Sequence, residues 1–150
     1  MFTKETYIAR RKKLADSFKG GILLFLGNNE SPANYADNTY IFRQDSSFLY
    51  YFGLDAPGLA AVIDIDSGGE IVFGDDVDMD DIIWMGPQKS IAEQAAGVGV
   101  GKTYPLSRLA GFVSDALVKG RRVHYLPQYR FDNQIFLAEM TGVAPRTVNE

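Results

Sequence analysis

The chain has 150 residues, 46% apolar and 23% charged, with fifteen Lys and Arg against nineteen Asp and Glu, a net charge of −4 and an isoelectric point near 5.0. That composition excludes a disordered, collagenous or membrane-spanning chain, and the acidic balance argues against a footprint for nucleic acid or an anionic membrane. A domain of this size buries roughly 68–70% of the surface its unfolded chain exposes, so a full core needs no disulfide, in keeping with the absence of cysteine. The first twenty residues carry no apolar stretch of signal-peptide length, and the longest apolar run, Ile22–Leu26, is far too short to span a bilayer. The cytoplasm is the expected compartment.

In chain order, Thr3 or Thr6 caps a first helix whose apolar residues, Tyr7, Ile8, Leu14 and Phe18, recur near helical spacing. Arg10 to Lys13 are expected on its solvated faces. Gly20-Gly21 ends that helix, and Ile22–Leu26 reads as a strand buried on both faces. The stretch from Asn28 to Asn38 reads as a surface loop. Asp45, Ser46 or Ser47 caps a short aromatic helix that Gly53 terminates. Gly58 to Asp64 and Glu70 to Phe73, joined by Asp66-Ser67-Gly68-Gly69, form a hairpin, which makes the sheet mixed. Asp75 to Asp81 is an acidic turn, Ser90 caps a helix through Ala96 with Gly97 as its cap, and Tyr104-Pro105 is briefly extended. Leu106, Leu109, Ala110, Val113 and Leu117 mark a helix to Val118 ended by Gly120. Val123 to Leu126 is a strand, and a last helix runs from Asp132 to Met140. No repeat or linker divides the chain, so residues 1–150 read as one α/β domain.

Several motifs tempt and fail. Gly101-Lys102-Thr103 resembles the end of a phosphate loop, but the required first glycine is Ala96 and the segment before it reads as helix. Asp76, Asp78 and Asp80 match the first ligand positions of a calcium loop, yet its sixth and twelfth positions are Asp81 and Pro87. The single histidine, His124, lies in an apolar strand and reads as structural, and Ser46 and Ser47 read as helix caps before nucleophiles. No catalytic residue and no metal ligand is therefore assigned within the chain.

The segment Arg43-Gln44-Asp45-Ser46-Ser47-Phe48-Leu49-Tyr50-Tyr51-Phe52-Gly53 resembles the Arg-Gln-x-Ser-x-Phe-x-Tyr-x-x-Gly stretch in the amino-terminal domain of Xaa-Pro aminopeptidases. The opening helix with Arg10-Arg11, the Ile22–Leu26 strand and Ile83-Trp84-Met85-Gly86, standing where that family has Ile-Trp-x-Gly, extend the resemblance over essentially the whole chain. It implies an α/β domain, shared in outline with creatinases and prolidases, on a mixed sheet of about six strands flanked by helices. It also implies a separate carboxy-terminal catalytic domain of the pita-bread fold, downstream of residues 1–150, where two Asp, one His and two Glu hold two ions, usually manganese. A bridging hydroxide there attacks the carbonyl before proline.

This chain would then be non-catalytic, helping to assemble a homo-oligomer and to gate a cleft for proline-containing peptides. Its partners would be its own catalytic domain, neighbouring subunits and the peptide. Matched residue by residue, Trp84 and Asp37 would line that cleft in trans, while Arg43, Gln44, Ser46, Phe48, Tyr50 and Gly53 carry the motif in a structural role. Read on its residues alone, Trp84 suits stacking on a proline-containing peptide or a place in the core, and Asp37 suits solvation as well as substrate contact. Arg43 and Asp45 suit recognition, or an internal ion pair and a helix cap. The competing expectations are a stand-alone interaction module and the amino-terminal domain of a creatinase or prolidase.

Overall fold

The computed structural model describes residues 2–29, 32–35, 38–39, 42–76 and 89–142. Helix α1 spans Lys4–Ala15; the Thr3 hydroxyl accepts from the Thr6 backbone N–H, Glu5 lies in its first turn, and Lys12 and Lys13 lie in its last, as the helix dipole favours. The helix stops at Ala15, short of Phe18. Its buried residues are Tyr7 and Arg11, one turn apart on one face. Arg11 thus departs from the expected solvated basic run: the face that carries Tyr7 inward carries Arg11 with it.

Strand β1 (Ile22–Leu26) is buried at every position, as its unbroken apolar run predicts. After it, a ribbon of β2 (Pro32–Tyr35) and β3 (Asn38–Thr39) occupies part of the stretch expected to be loop. Helix α2 is Ser46–Phe52, capped by Asp45 and closed by Gly53 in the left-handed region. The hairpin follows as β4 (Ala60–Asp64) and β5 (Glu70–Phe73). Asp64 Oδ1 accepts from the Asp66 and Ser67 backbone N–H groups to shape its turn.

Helix α3 covers Ile91–Gly97, with the Ser90 hydroxyl accepting from Glu93 N–H. The expected glycine cap is displaced: Gly97 ends the helix itself, and Gly99 takes the positive φ of 87°, beneath the side chains of Ile8 and Arg11. Strand β6 is Thr103–Tyr104. A 3₁₀ turn at Leu106–Arg108 then leads into α4 (Leu109–Val118). The buried stripe of α4 is Leu109, Val113 and Ala116, rotated from the expected one, so Ala110 and Leu117 face solvent. Strand β7 (Val123–Tyr125) stops before Leu126, and α5 is Phe131–Thr141, closed by Gly142.

The sheet is mixed, with strand order β6-β5-β4-β1-β7. β1 runs antiparallel to β4 and parallel to β7, and β5 runs parallel to β6. This is the mixed α/β sheet that was expected; it has five strands among the described residues where about six were expected.

Side-chain alternation divides the core in two. Leu23, Phe25, Ala61, Ile63 and Val72 pack with Tyr7, Phe48, Phe52 and Ala95 from α1, α2 and α3. Ile22, Leu24, Leu26, Val62, Ile71 and Phe73 pack with Leu109, Val113, Leu137 and Met140 from α4 and α5. The result is a helix–sheet–helix sandwich, in which no described helix is long and apolar enough to cross a membrane.

Candidate functional site

The motif segment is built from its cap outward. Asp45 Oδ1 accepts from Phe48 N–H at 2.9 Å and starts α2, which drives Phe48 and Phe52 into the core with their ring centroids 5.4 Å apart. Ser46 and Arg43 face solvent. The half-exposed Tyr50 lies under the Arg10 guanidinium, which is 4.1 Å from its ring centroid and donates to the Tyr50 carbonyl. Gly53 takes φ +64°, and a Cβ there would meet the ring of Tyr7.

Gln44 is the polar centre of the segment, only 5% exposed. Its Oε1 accepts from the backbone N–H groups of Asn28 (2.8 Å) and Asp45 (3.0 Å), and its Nε2 donates to the carbonyls of Leu54 (3.0 Å) and Ala56 (2.8 Å). All four hydrogen-bonding positions of the carboxamide are used.

A second carboxamide, Asn28, also 5% exposed, donates through Nδ2 to the Arg43 carbonyl and the Tyr129 hydroxyl. Asn133 Nδ2 donates to the Gly27 carbonyl and to Gln128 Oε1, both at 3.3 Å. Of the five buried polar residues described, four are therefore carboxamides, linked around the carboxyl end of β1. Beside them opens a cleft of about 340 Å³ bordered by Phe25, Asp45, Ser47, Leu126, Pro127 and Tyr129.

Near the start of α5, Arg130 and Asn29 both hydrogen-bond Asp132. Burial disfavours its carboxylate, but these hydrogen bonds outweigh that penalty and hold its pKa below the ordinary value. A lowered folded-state pKa stabilises the fold above the unfolded-state value and loses that stabilisation as the pH falls through the folded one. Asp132→Asn is therefore expected to lower the urea midpoint slightly at pH 7, and the difference from wild type should shrink below about pH 4. A difference that grows on acidification would reverse the assignment.

The remaining candidates take structural places. His124 Nε2 is 3.3 Å from the Gly20 carbonyl and its ring packs 4.7 Å from Phe18. Asp76 Oδ1 accepts from Ile91 N–H at 2.6 Å, while Asp78, Asp80 and Pro87 lie outside the described residues. Lys102 and Thr103 lead from α3 into a strand, the reverse of a phosphate loop. Among the described residues, no three His, Asp or Glu come together where they could hold a metal. Trp84 and Asp37 also lie outside the described residues. The sequence reading missed the amide network; its one local signal is Asn28-Asn29, separated from a fully buried strand by Gly27 alone.

Comparison with known proteins places these features. Residues 7–125 match the family described as aminopeptidase P, N-terminal domain. The chain is 29% identical over 123 residues to the mitochondrial intermediate cleaving peptidase 55 of Arabidopsis thaliana, a match covering 81% of this chain and 24% of that protein. It is 34% identical over 67 residues to human Xaa-Pro dipeptidase, covering 45% of this chain and 14% of that one. In fold it resembles Pseudomonas aeruginosa aminopeptidase PepP, with a TM-score of 0.80 at 23% identity over 95% of this chain and 33% of that structure. The low-pH form of Escherichia coli aminopeptidase P gives 0.74 at 20% identity over 93% and 32%. This chain thus spans about a third or less of the proteins it matches, and it belongs to the aminopeptidase P amino-terminal domain family.

Proposed function

We propose that this chain is the non-catalytic amino-terminal domain of a metal-dependent Xaa-Pro aminopeptidase that removes the residue preceding proline. The family match over residues 7–125 carries this reading, together with peptidase relatives three to four times as long as the matched part. In it, the domain contributes to assembly of a homo-oligomer and borders the substrate cleft, with Trp84 and Asp37 facing the peptide. Two divalent ions, manganese in this reading, belong to a downstream catalytic domain. One solved Escherichia coli relative is described as zinc-substituted and product-bound, which supports metal chemistry in a parent of this kind. The match to human Xaa-Pro dipeptidase favours a dipeptidase parent as the second reading.

Two assays test this. Residues 1–150 alone should give no cleavage of a Xaa-Pro peptide with added manganese, and turnover abolished by substitutions in this chain would overturn the division of labour. In the full-length parent, Trp84→Ala should lower kcat/KM for a Xaa-Pro pentapeptide about tenfold with the oligomer intact. Unchanged kinetics would return Trp84 to a structural role. Cleavage of Xaa-Pro dipeptides alone would select the dipeptidase.

A further inference from the structure

We infer that the exposed side chains of Leu126, Tyr129, Phe131 and Ile135 form a docking surface for the catalytic domain of the same parent chain. The inference rests on the proposed function, because it needs a parent that continues beyond α5.

Among the described residues nine large apolar side chains are exposed, and these four fall within ten consecutive positions, at 51%, 70%, 71% and 37% exposure. Phe2 and Tyr50, by contrast, are each overlain by the Arg10 guanidinium. Phe131 and Ile135 lie one turn apart on α5, whose core contacts are made instead by Leu137, Ala138 and Met140. Leu126 and Tyr129 border one cleft. Two aromatic rings left this bare beside two aliphatic side chains have the composition of an interface centre.

The backbone beneath these side chains is tied down by polar bonds. Gln128 Nε2 donates to the Leu126 carbonyl at 2.9 Å, Gln134 Nε2 to the Gln128 carbonyl at 2.7 Å, and Asn28 Nδ2 to the Tyr129 hydroxyl at 3.3 Å. Asn133 Nδ2 joins the same loop, through Gln128 Oε1, to the Gly27 carbonyl after β1. A loop held in this way loses little entropy when a partner covers it. The cleft of about 340 Å³ between Leu126, Tyr129 and Asp45 offers a socket for one of that partner's side chains.

Size and connectivity select the occupant. This chain spans about a third or less of the peptidases it resembles and belongs to an amino-terminal domain family, so the rest of such a parent is joined beyond α5. Helix α5, eleven residues long, carries the chain about 16 Å from Phe131. A domain tethered there by a short linker meets the patch at an effective concentration on the order of millimolar. A free second copy needs about 20–30 residues a side for a stable contact, whereas four apolar side chains and one cleft suit the smaller interface between tethered domains.

Hydroxyl-radical footprinting of the full-length parent, read by mass spectrometry without added peptide, tests this. Tyr129 and Phe131 should be oxidised about tenfold more slowly in native protein than in urea, while Val118, 83% exposed on α4, should be oxidised at similar rates in both. Native rates at Tyr129 and Phe131 close to those in urea overturn the inference. Phe131→Asp, a substitution at an exposed position, should return Tyr129 to its rate in urea, because docking would then bury an unpaired charge. Tyr129 protection that persists in Phe131→Asp overturns the patch. Protection that is lost on dilution to the monomer assigns the surface to a second copy and overturns the choice of occupant. A protected patch in a parent that cleaves no Xaa-Pro peptide overturns the functional reading and leaves the docking surface standing.

Discussion

Replacing Arg11 with Met is expected to remove about 3–5 kcal/mol of stability and to lower the melting temperature on the order of 10 °C. The guanidinium is fully buried: Nε donates to Glu70 Oε2 at 2.8 Å, Nη1 to the Tyr51 carbonyl at 2.8 Å and Nη2 to the Val98 carbonyl at 2.7 Å, with Phe52 stacked 5.1 Å away. One side chain therefore ties α1 to the end of α2, to β5 and to the turn after α3. Without it, two carbonyls lose their donor and the Glu70 carboxylate, 23% exposed, keeps its charge without a partner.

Arg11→Lys should recover only part of the loss, because an ammonium cannot reproduce the planar fork that reaches three acceptors. Changing Glu70 to Met together with Arg11 to Met should cost less than the sum of the two single changes, since no charge is then stranded. Additive losses in urea unfolding would show that Arg11 acts through packing alone.

The second large effect is expected at Gly53, where Ala should cost about 2–4 kcal/mol. Its φ of +64° is strained for any L side chain, and its added Cβ would fall on the Tyr7 ring, which is itself buried. Gly58 supplies the control. It has φ +74° but open space around its Cβ position, so Gly58→Ala should cost only about 1 kcal/mol of backbone strain. The excess at Gly53 measures the ring contact, and shortening Tyr7 to Leu should reduce it. Equal losses at the two glycines, by thermal unfolding, would remove the contact from the explanation.

Local rules carried much of this fold. The unbroken apolar run of β1, the Asp45 and Ser90 caps, the Asp66–Gly69 hairpin turn and the left-handed glycines after α2, α4 and α5 each depend on residues a few positions apart. Backbone hydrogen bonding and side-chain alternation act at that range, so the α/β class and the mixed sheet could be read directly, and the Arg43–Gly53 pattern pointed to the family that residues 7–125 match. The β2–β3 ribbon escaped because the composition of that stretch, rich in Asn, Ser and Pro, carries no strand signal.

Most caps and turns were legible in the chain alone, because capping side chains, glycines and apolar runs act locally, whereas the ends of α1 and β7 and the β2–β3 ribbon were not. The tertiary structure alone decided which polar groups are internal. Arg11 looks like any other member of a basic run until Glu70, Tyr51 and Val98 converge on it, from positions 40 to 87 residues away. Asn28 and Asn133 look like loop and helix residues until the carboxyl end of β1 draws them into one network. A buried polar group is stable only when its partners are in place, and here those partners are supplied by distant parts of the chain.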